Sequence, residues 1–168
     1  RALAITDECS FAGIVKAHVA AKEAGIQLII GSELILEEGI RLVVLVPTRD
    51  AYSELSGLIS MARRRSPKGE YRVTLRDVIF HLKRCFLIWL PQMDDENSHA
   101  YGLQLKRLCK DRLWLGVNHL LGNNEVQRYL RLQQLAQELD IPMLACGDVR
   151  MHTAKRKPLH DVFTALYH

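Results

Sequence analysis

The chain has 168 residues, 48% hydrophobic and 25% charged, with a formal net charge of +4, a composition that suits one folded domain with a full hydrophobic core and excludes a disordered chain. No apolar run approaches the roughly 20 residues that span a bilayer, so no membrane is expected among its partners. The four cysteines, Cys9, Cys85, Cys109 and Cys146, are scattered without a Cys-x-x-Cys pair, which argues against a zinc ribbon or a disulfide framework and fits a reducing cytoplasm.

The chain opens mid-strand on Arg1, without an initiator Met or a signal-peptide pattern, and reads as a piece of something longer. An apolar run, Ala2 to Ile5, stops at Thr6-Asp7-Glu8, and a helical pattern follows from Phe11 to Glu23, closed by Gly25. His18 lies on the apolar side of that helix and reads as a packed histidine rather than a ligand. Gln27 to Ser32 is a nearly continuous apolar run of the kind found in strands covered on both faces, and Glu33 falls at its end. Glu37-Glu38-Gly39 reads as a turn between antiparallel or neighbouring strands, leading to a third run, Leu42 to Val46.

Thr48 is placed to cap a helix through Tyr52, Leu55, Leu58, Ile59 and Met61, which ends in Arg63-Arg64-Arg65, where positive charge suits a helix C-terminus. That cluster with Lys68, and Lys155-Arg156-Lys157, are local, whereas a nucleic-acid footprint needs a continuous basic face, so both read as solvated surface. After the Ser66 to Gly69 loop, Thr74 caps a short helix, Leu75 to Leu82, before strand Cys85 to Leu90 and Pro91. A polar loop precedes a helix from His99 to Cys109, in which Gly102 costs about 1 kcal/mol relative to Ala. Strand Leu113 to Val117 ends at Asn118-His119. Asn124 is a candidate cap for the next helix, whose expected buried side is Tyr129, Leu130, Leu132, Leu135, Ala136 and Leu139. Strand Pro142 to Cys146 ends at Gly147-Asp148, and Pro158 opens a last helix, Leu159 to Tyr167. About six strands, mostly separated by helices, imply a parallel α/β barrel lacking at least its first strand.

Several strand ends carry groups that bind metals: Asp7 and Glu8, Glu33, Asn118 with His119, and Asp148 with His152. A barrel brings such ends to one mouth. Buried carboxylates gathered there need counter-charge, because each uncompensated one costs several kcal/mol. Mixed carboxylate and imidazole donors suit Zn, Mn or Fe, and two such ions would clamp the oxygens of a phosphoester. Taken singly, each residue also reads as a cap or turn residue; Asp7 in particular could cap the helix that follows it.

The stretch Ala2-Leu3-Ala4-Ile5-Thr6-Asp7-Glu8-Cys9-Ser10-Phe11-Ala12-Gly13, with Ala24-Gly25-Ile26 and Ile30-Gly31-Ser32-Glu33, resembles the polymerase and histidinol phosphatase (PHP) domain. The form it is most similar to heads the alpha subunit of bacterial C-family DNA polymerase III, in the error-prone, damage-inducible paralogue. Leu42 to Val46, Lys68-Gly69-Glu70-Tyr71-Arg72, Gly147-Asp148-Val149-Arg150-Met151-His152 and Leu159 to Ala165 extend the resemblance over most of the chain. It implies an α/β fold, a PHP-type distorted (βα)7 barrel that is N-terminally truncated, with residues 1–168 forming one PHP domain. It implies Glu33 and Asp148 as metal ligands, with Glu8 where the family has the histidine of Thr-Asp-His. The pattern is broken elsewhere: the opening His-x-His would lie upstream of Arg1, Asn118-His119-Leu120 departs from Glu-x-His, Arg41 stands where many polymerase PHP domains have a histidine, and Arg150 replaces the histidine of Asp-x-His. Arginine offers no lone pair to a cation, so Arg41 and Arg150 suggest guanidinium charge in place of metal.

The implied function is that of the N-terminal PHP domain of an error-prone DNA polymerase III alpha subunit, a nucleotidyltransferase of DNA replication and damage repair. Zn or Mn would belong to its PHP site, if that site is filled, and Mg to a polymerase palm outside these residues. The implied partners are the rest of the polymerase chain, DNA through the whole protein, and other replication or repair proteins. The departures point to a structural module with a degenerate metal site, inactive by itself. Two alternatives stay open: a free-standing metal-dependent phosphoesterase of the histidinol phosphatase type, and a non-catalytic scaffold.

Overall fold

Among the described residues six strands lie in one sheet in chain order: β1 (Ala2–Ile5), β2 (Gln27–Ile35), β3 (Arg41–Leu45), β4 (Phe86–Trp89), β5 (Leu113–Val117) and β6 (Met143–Ala145). The helices are α1 (Ile14–Glu23), α2 (Arg49–Arg64), α3 (Leu75–His81), α4 (Ser98–Cys109), α5 (Glu125–Leu139) and α6 (Lys157–Tyr167). This computed structural model describes residues 1–92, 97–118, 124–147, 149, 151 and 153–167. The expected His119, Asp148, Arg150 and His152 therefore lie outside the described residues.

The sheet is not wholly parallel, as a simple βα barrel would be. β3 alone runs against the other five: its pairs with β2 and β4 are antiparallel, while β1 with β2, β4 with β5, and β5 with β6 are parallel. The reason lies in the link between β2 and β3. A parallel crossover takes a dozen or more residues, and Leu36 to Ile40 is far too short for one. The link closes instead as a hairpin turn, with the Gly39 N–H donating to the Leu36 carbonyl at 2.9 Å. Gly39 takes φ 82°, a conformation that suits glycine.

The sheet's two faces differ. One carries Leu34, Leu42, Val44, Leu87, Trp89 and Leu115, all buried beneath helices that contribute Leu55, Leu58, Val78, Leu105 and Leu132 to the same core. The other face lines an open cavity of about 720 Å³ between the two ends of the sheet, walled by residues such as Val43, Leu45, Ile88 and Leu144, with Asp7, Glu8 and Glu33 at its rim. The sheet is thus a curled half-barrel, with β1 and β6 each paired on one side only among the described residues.

Local signals place the helix ends. The Thr48 hydroxyl accepts from the Ala51 N–H at 3.2 Å, and Thr74 with Asp77 forms a reciprocal capping box. Asp7 does not cap α1, whose N-terminal position is held by Gly13 without a side-chain bond. Phe11 lies outside α1 and stacks on Tyr52 of α2, ring centroids 4.8 Å apart. His18 is exposed rather than packed, because α1 buries only Ile14 and leaves Val15 and Val19 to solvent. On α5 the buried stripe is Leu132, Ala136 and Leu139; Tyr129 and Leu130 are exposed.

Gly102 has a packing role that its cost to helix propensity conceals. A Cβ there would come within 2.2 Å of a Leu139 methyl and 2.8 Å of the Trp89 ring. Only a residue without a side chain lets α4 approach β4 and α5 this closely.

Candidate functional site

The acidic turn after β1 is held from three directions. It stays in register with β2 beyond the strand itself, the Cys9 N–H donating to the Glu33 carbonyl at 2.8 Å and the Glu33 N–H to the Asp7 carbonyl at 3.3 Å. The fully buried Ser32 hydroxyl donates to the Asp7 carbonyl at 2.7 Å and accepts from the Ser10 N–H at 3.2 Å. From α2, Arg63 donates through Nε to the Cys9 carbonyl and through Nη2 to the Glu8 carbonyl, each at 3.2 Å. Its Nη1 reaches the carbonyls of Gly69 and Glu70 at 3.1 and 3.3 Å, and its guanidinium lies 5.1 Å from the centre of the Tyr71 ring. Arg63 is therefore a structural hub and not the solvated surface charge that its cluster suggests. Its spacing from Leu55, Leu58, Ile59 and Ala62 places it on the inward stripe of α2, which is the sequence signal that could have found it. Its neighbour Arg65 is spent on Asp77, at 2.8 Å.

Each acid of the rim has a distinct surrounding. Asp7 is exposed, its carboxylate beside Gly13. Glu8 accepts a hydrogen bond from the Tyr71 hydroxyl at 2.8 Å, and that hydroxyl accepts in turn from the Ile35 N–H at 3.0 Å, so the single phenolic proton is committed to Glu8. Burial, chiefly, and the adjoining Glu8 carboxylate push Tyr71 well above the usual phenol range, although the Ile35 N–H opposes them. Glu33 is ion-paired with Arg41, whose Nε donates to Glu33 Oε1, with both side chains largely shielded from solvent. This pair exists because β3 is reversed. The first residue of an antiparallel strand reaches the mouth where its neighbours end, and Arg41 shares a sheet face with Glu33.

At the end of β5, Asn118 is buried and held by Arg128 of α5, through Nη1 to its carbonyl at 2.8 Å and through Nη2 to its side-chain oxygen. Cys9, buried beside the acidic turn, has its thiol pushed up to about 11 by burial, with Arg63 opposing. The structure thus brings Asp7, Glu8, Glu33 and Arg41 to one rim. A guanidinium answers Glu33, Asn118 and the turn at Glu8.

The sequence pattern of the PHP domain matches residues 1–102. The chain belongs to the PHP domain family. Over 165 residues this PHP domain is 48% identical to the error-prone DNA polymerase of Saccharophagus degradans, a match that covers 98% of the chain and 16% of that relative. It is 46% identical over 170 residues to that of Teredinibacter turnerae, and 44% identical over 166 residues to that of Pseudomonas aeruginosa, with 99% of the chain and 16% of the relative covered in each case. The chain therefore spans about a sixth of the length of the curated relatives it matches. A solved structure described as a metal-dependent phosphoesterase from Bifidobacterium adolescentis shares the fold, at TM-score 0.55 and 18% identity, over 84% of this chain and 74% of that one. The distorted PHP barrel is thus the architecture of this chain.

For Zn or Mn the donors in view fit poorly. Among the described residues no three His, Cys, Asp or Glu side chains come together as ligands. Of the three carboxylates at the rim, Glu33 already faces a fixed cation and Glu8 already accepts the Tyr71 proton.

Proposed function

We propose that residues 1–168 form a single PHP domain that serves as the N-terminal module of an error-prone DNA polymerase of the DNA polymerase III alpha kind. The whole protein is read as a DNA-directed DNA polymerase acting in replication and in repair of damaged DNA, with Mg at a palm outside these residues. This module supports that machinery structurally. The observation that carries the reading is the 48% identity over nearly the whole chain to an error-prone DNA polymerase. The Arg41–Glu33 pair supports the structural role, because a guanidinium answers the carboxylate charge that a cation would otherwise answer. Arg150 would extend this substitution, and Asp148, His119 and His152 complete the set of positions to test.

In this reading the partners are the rest of the polymerase chain, DNA through the whole protein, and other replication or repair proteins, in the cytoplasm. Among the described residues no helix is long and apolar enough to cross a membrane.

The test is made on the full-length protein, by primer extension with Mg and by elemental analysis with Mn and Zn titration. Template-directed synthesis with no stoichiometric Mn or Zn is the expected result, and Glu33→Ala should leave extension in place wherever the protein folds. Stoichiometric metal lost in both Glu33→Ala and Asp148→Ala, together with nuclease or phosphoesterase activity, would replace the structural role with a catalytic one. Failure to extend a primer would overturn the polymerase reading.

A further inference from the structure

One large aromatic side chain in the middle of the molecule is left out of the core. α3 joins β3 to β4, strands that have a neighbour on each side, and it packs against α2. Leu75, Val78 and the following Leu82 are buried there. Phe80 stands on the other side of the helix and is 73% exposed, with a T-shaped contact to His81 at 5.2 Å between ring centroids. Two exposed cations bracket the ring. Arg76 is one turn earlier on the same face, at the four-residue spacing that sets side chains next to each other, and a helical side chain leans toward the preceding turn. Lys83 folds back over the helix end: its Nζ donates to the carbonyl of Ile79, the residue before Phe80, at 2.7 Å, which leaves two ammonium protons for other acceptors. Nearby cations are already committed, Arg65 to Asp77 at 2.8 Å and Arg84 to Glu54 at 2.7 Å. Among the described residues no carboxylate pairs with Arg76 or Lys83.

We propose that this face of α3 binds single-stranded nucleic acid, one base stacking on Phe80 while Arg76 and Lys83 meet phosphates on either side of it. Charge complementarity selects an anion, because the face offers two uncommitted cations and no carboxylate of its own. The size of the face selects the polymer. One ring and two cations fall well short of the roughly 800 Å² per partner that holds two proteins together, whereas a single strand is held by successive small contacts, phosphates on cations and bases on aromatic rings. A duplex keeps its base faces inside its own stack, so only an unpaired strand can present one to Phe80. The site stands or falls apart from the polymerase reading, since stacking on α3 needs no synthesis.

Photocrosslinking on the full-length protein tests this, with a single-stranded oligonucleotide that carries iodouracil and with the crosslinked peptides mapped by mass spectrometry. A crosslink at Phe80 is expected. Arg76→Glu and Lys83→Glu should each lower its yield at least about fivefold when protein is limiting, and added salt should lower it in the unmodified protein. Lys22→Glu, the same charge change at an exposed position of α1, should leave the yield unchanged. Urea midpoints report whether each variant folds, and Arg76→Gln and Lys83→Gln, which remove the charge without reversing it, replace any that does not. No crosslink at Phe80 would overturn the proposal. So would an equal yield with the strand annealed to its complement, which means that no base stacks, or an equal loss in Lys22→Glu, which means attraction by net charge alone. Displacement of the strand by polyglutamate at a lower charge concentration than by unlabelled single strand would give the face to an acidic protein instead. Primer extension on the same samples separates the two claims: crosslinking without synthesis sinks the polymerase reading alone, and synthesis without a Phe80 crosslink sinks this site alone.

Discussion

The middle of the sheet and its two ends are built from the same local pattern and finish in different states. α2 buries Ala51, Leu55, Leu58 and Ala62, and α5 buries Leu132, Ala136 and Leu139. α1 and α6 carry comparable spacing, yet Val15 and Val19 on one and the whole apolar stripe of the other face water. A helix is covered when it lies over a groove between two strands. β2 to β5 have a neighbour on each side, whereas β1 and β6 each lack one. Periodicity states which face of a helix would be buried; strand neighbours decide whether it is.

The largest effect that tests this contrast comes from truncating a central core residue. Leu87→Ala, at a fully buried site, should cost about 2 to 5 kcal/mol, while Val15→Ala at the edge should stay within about 0.5 kcal/mol. Urea midpoints measured side by side check it, and equal losses would mean that the ends are as well packed as the middle.

Next in size, Gly102→Ala should destabilise by about 1 to 3 kcal/mol through overpacking against Trp89 and Leu139. That is opposite in sign to the gain of about 1 kcal/mol expected from helix propensity alone. A higher urea midpoint in the variant would show that α4 is not seated on β4 as described.

Alkaline pH probes the same buried centre. Burial pushes the Cys85 thiol up to about 12 and the Cys9 thiol up to about 11, and Tyr71 is raised as well. In the unfolded chain these thiols ionise near 8.5, so there the unfolded state binds fewer protons than the folded one. The stability they contribute is whole below that pH and is lost as pH rises toward 11 and 12. Chemical denaturation at pH 8 and pH 10 should show the decline, and a Cys85→Ala variant should show less of it.

The smallest effect separates capped from uncovered helices. Thr74→Ala removes a capping box and should cost about 1 kcal/mol. Thr164→Ala, on the exposed face of α6, should leave the unfolding midpoint of the 168-residue chain unchanged.

Much of the site could be read from residues alone, for identifiable reasons. β2 runs past Glu33 to Ile35, so Glu33 lies inside its strand rather than at the end, but Asp7 and Glu8 follow an apolar run whose end is a local event, and the place of these two acids was foreseeable. Their partners were not. Tyr71 lies 63 residues from Glu8 and Arg63 lies 55 residues away, and no short-range rule joins such positions. Arg41 was picked out as a departure from the family pattern, but its pairing with Glu33 depends on the reversal of β3.

The sequence by itself determined where elements begin and turn: Thr48 and Thr74 supply hydroxyls for the helix ends, Gly39 supplies the turn, and the motifs from Thr6 to Glu33 carry the family. These are properties of residues within a few positions of one another, where sterics and single hydrogen bonds dominate. Only the tertiary structure decided that Arg63 is a hub, that Gly102 is a close-packing site and not a weak point, that His18 faces water, and that α6 stands uncovered. Each of these depends on which distant element lies alongside, and that is set by strand order and direction, which local pattern does not encode.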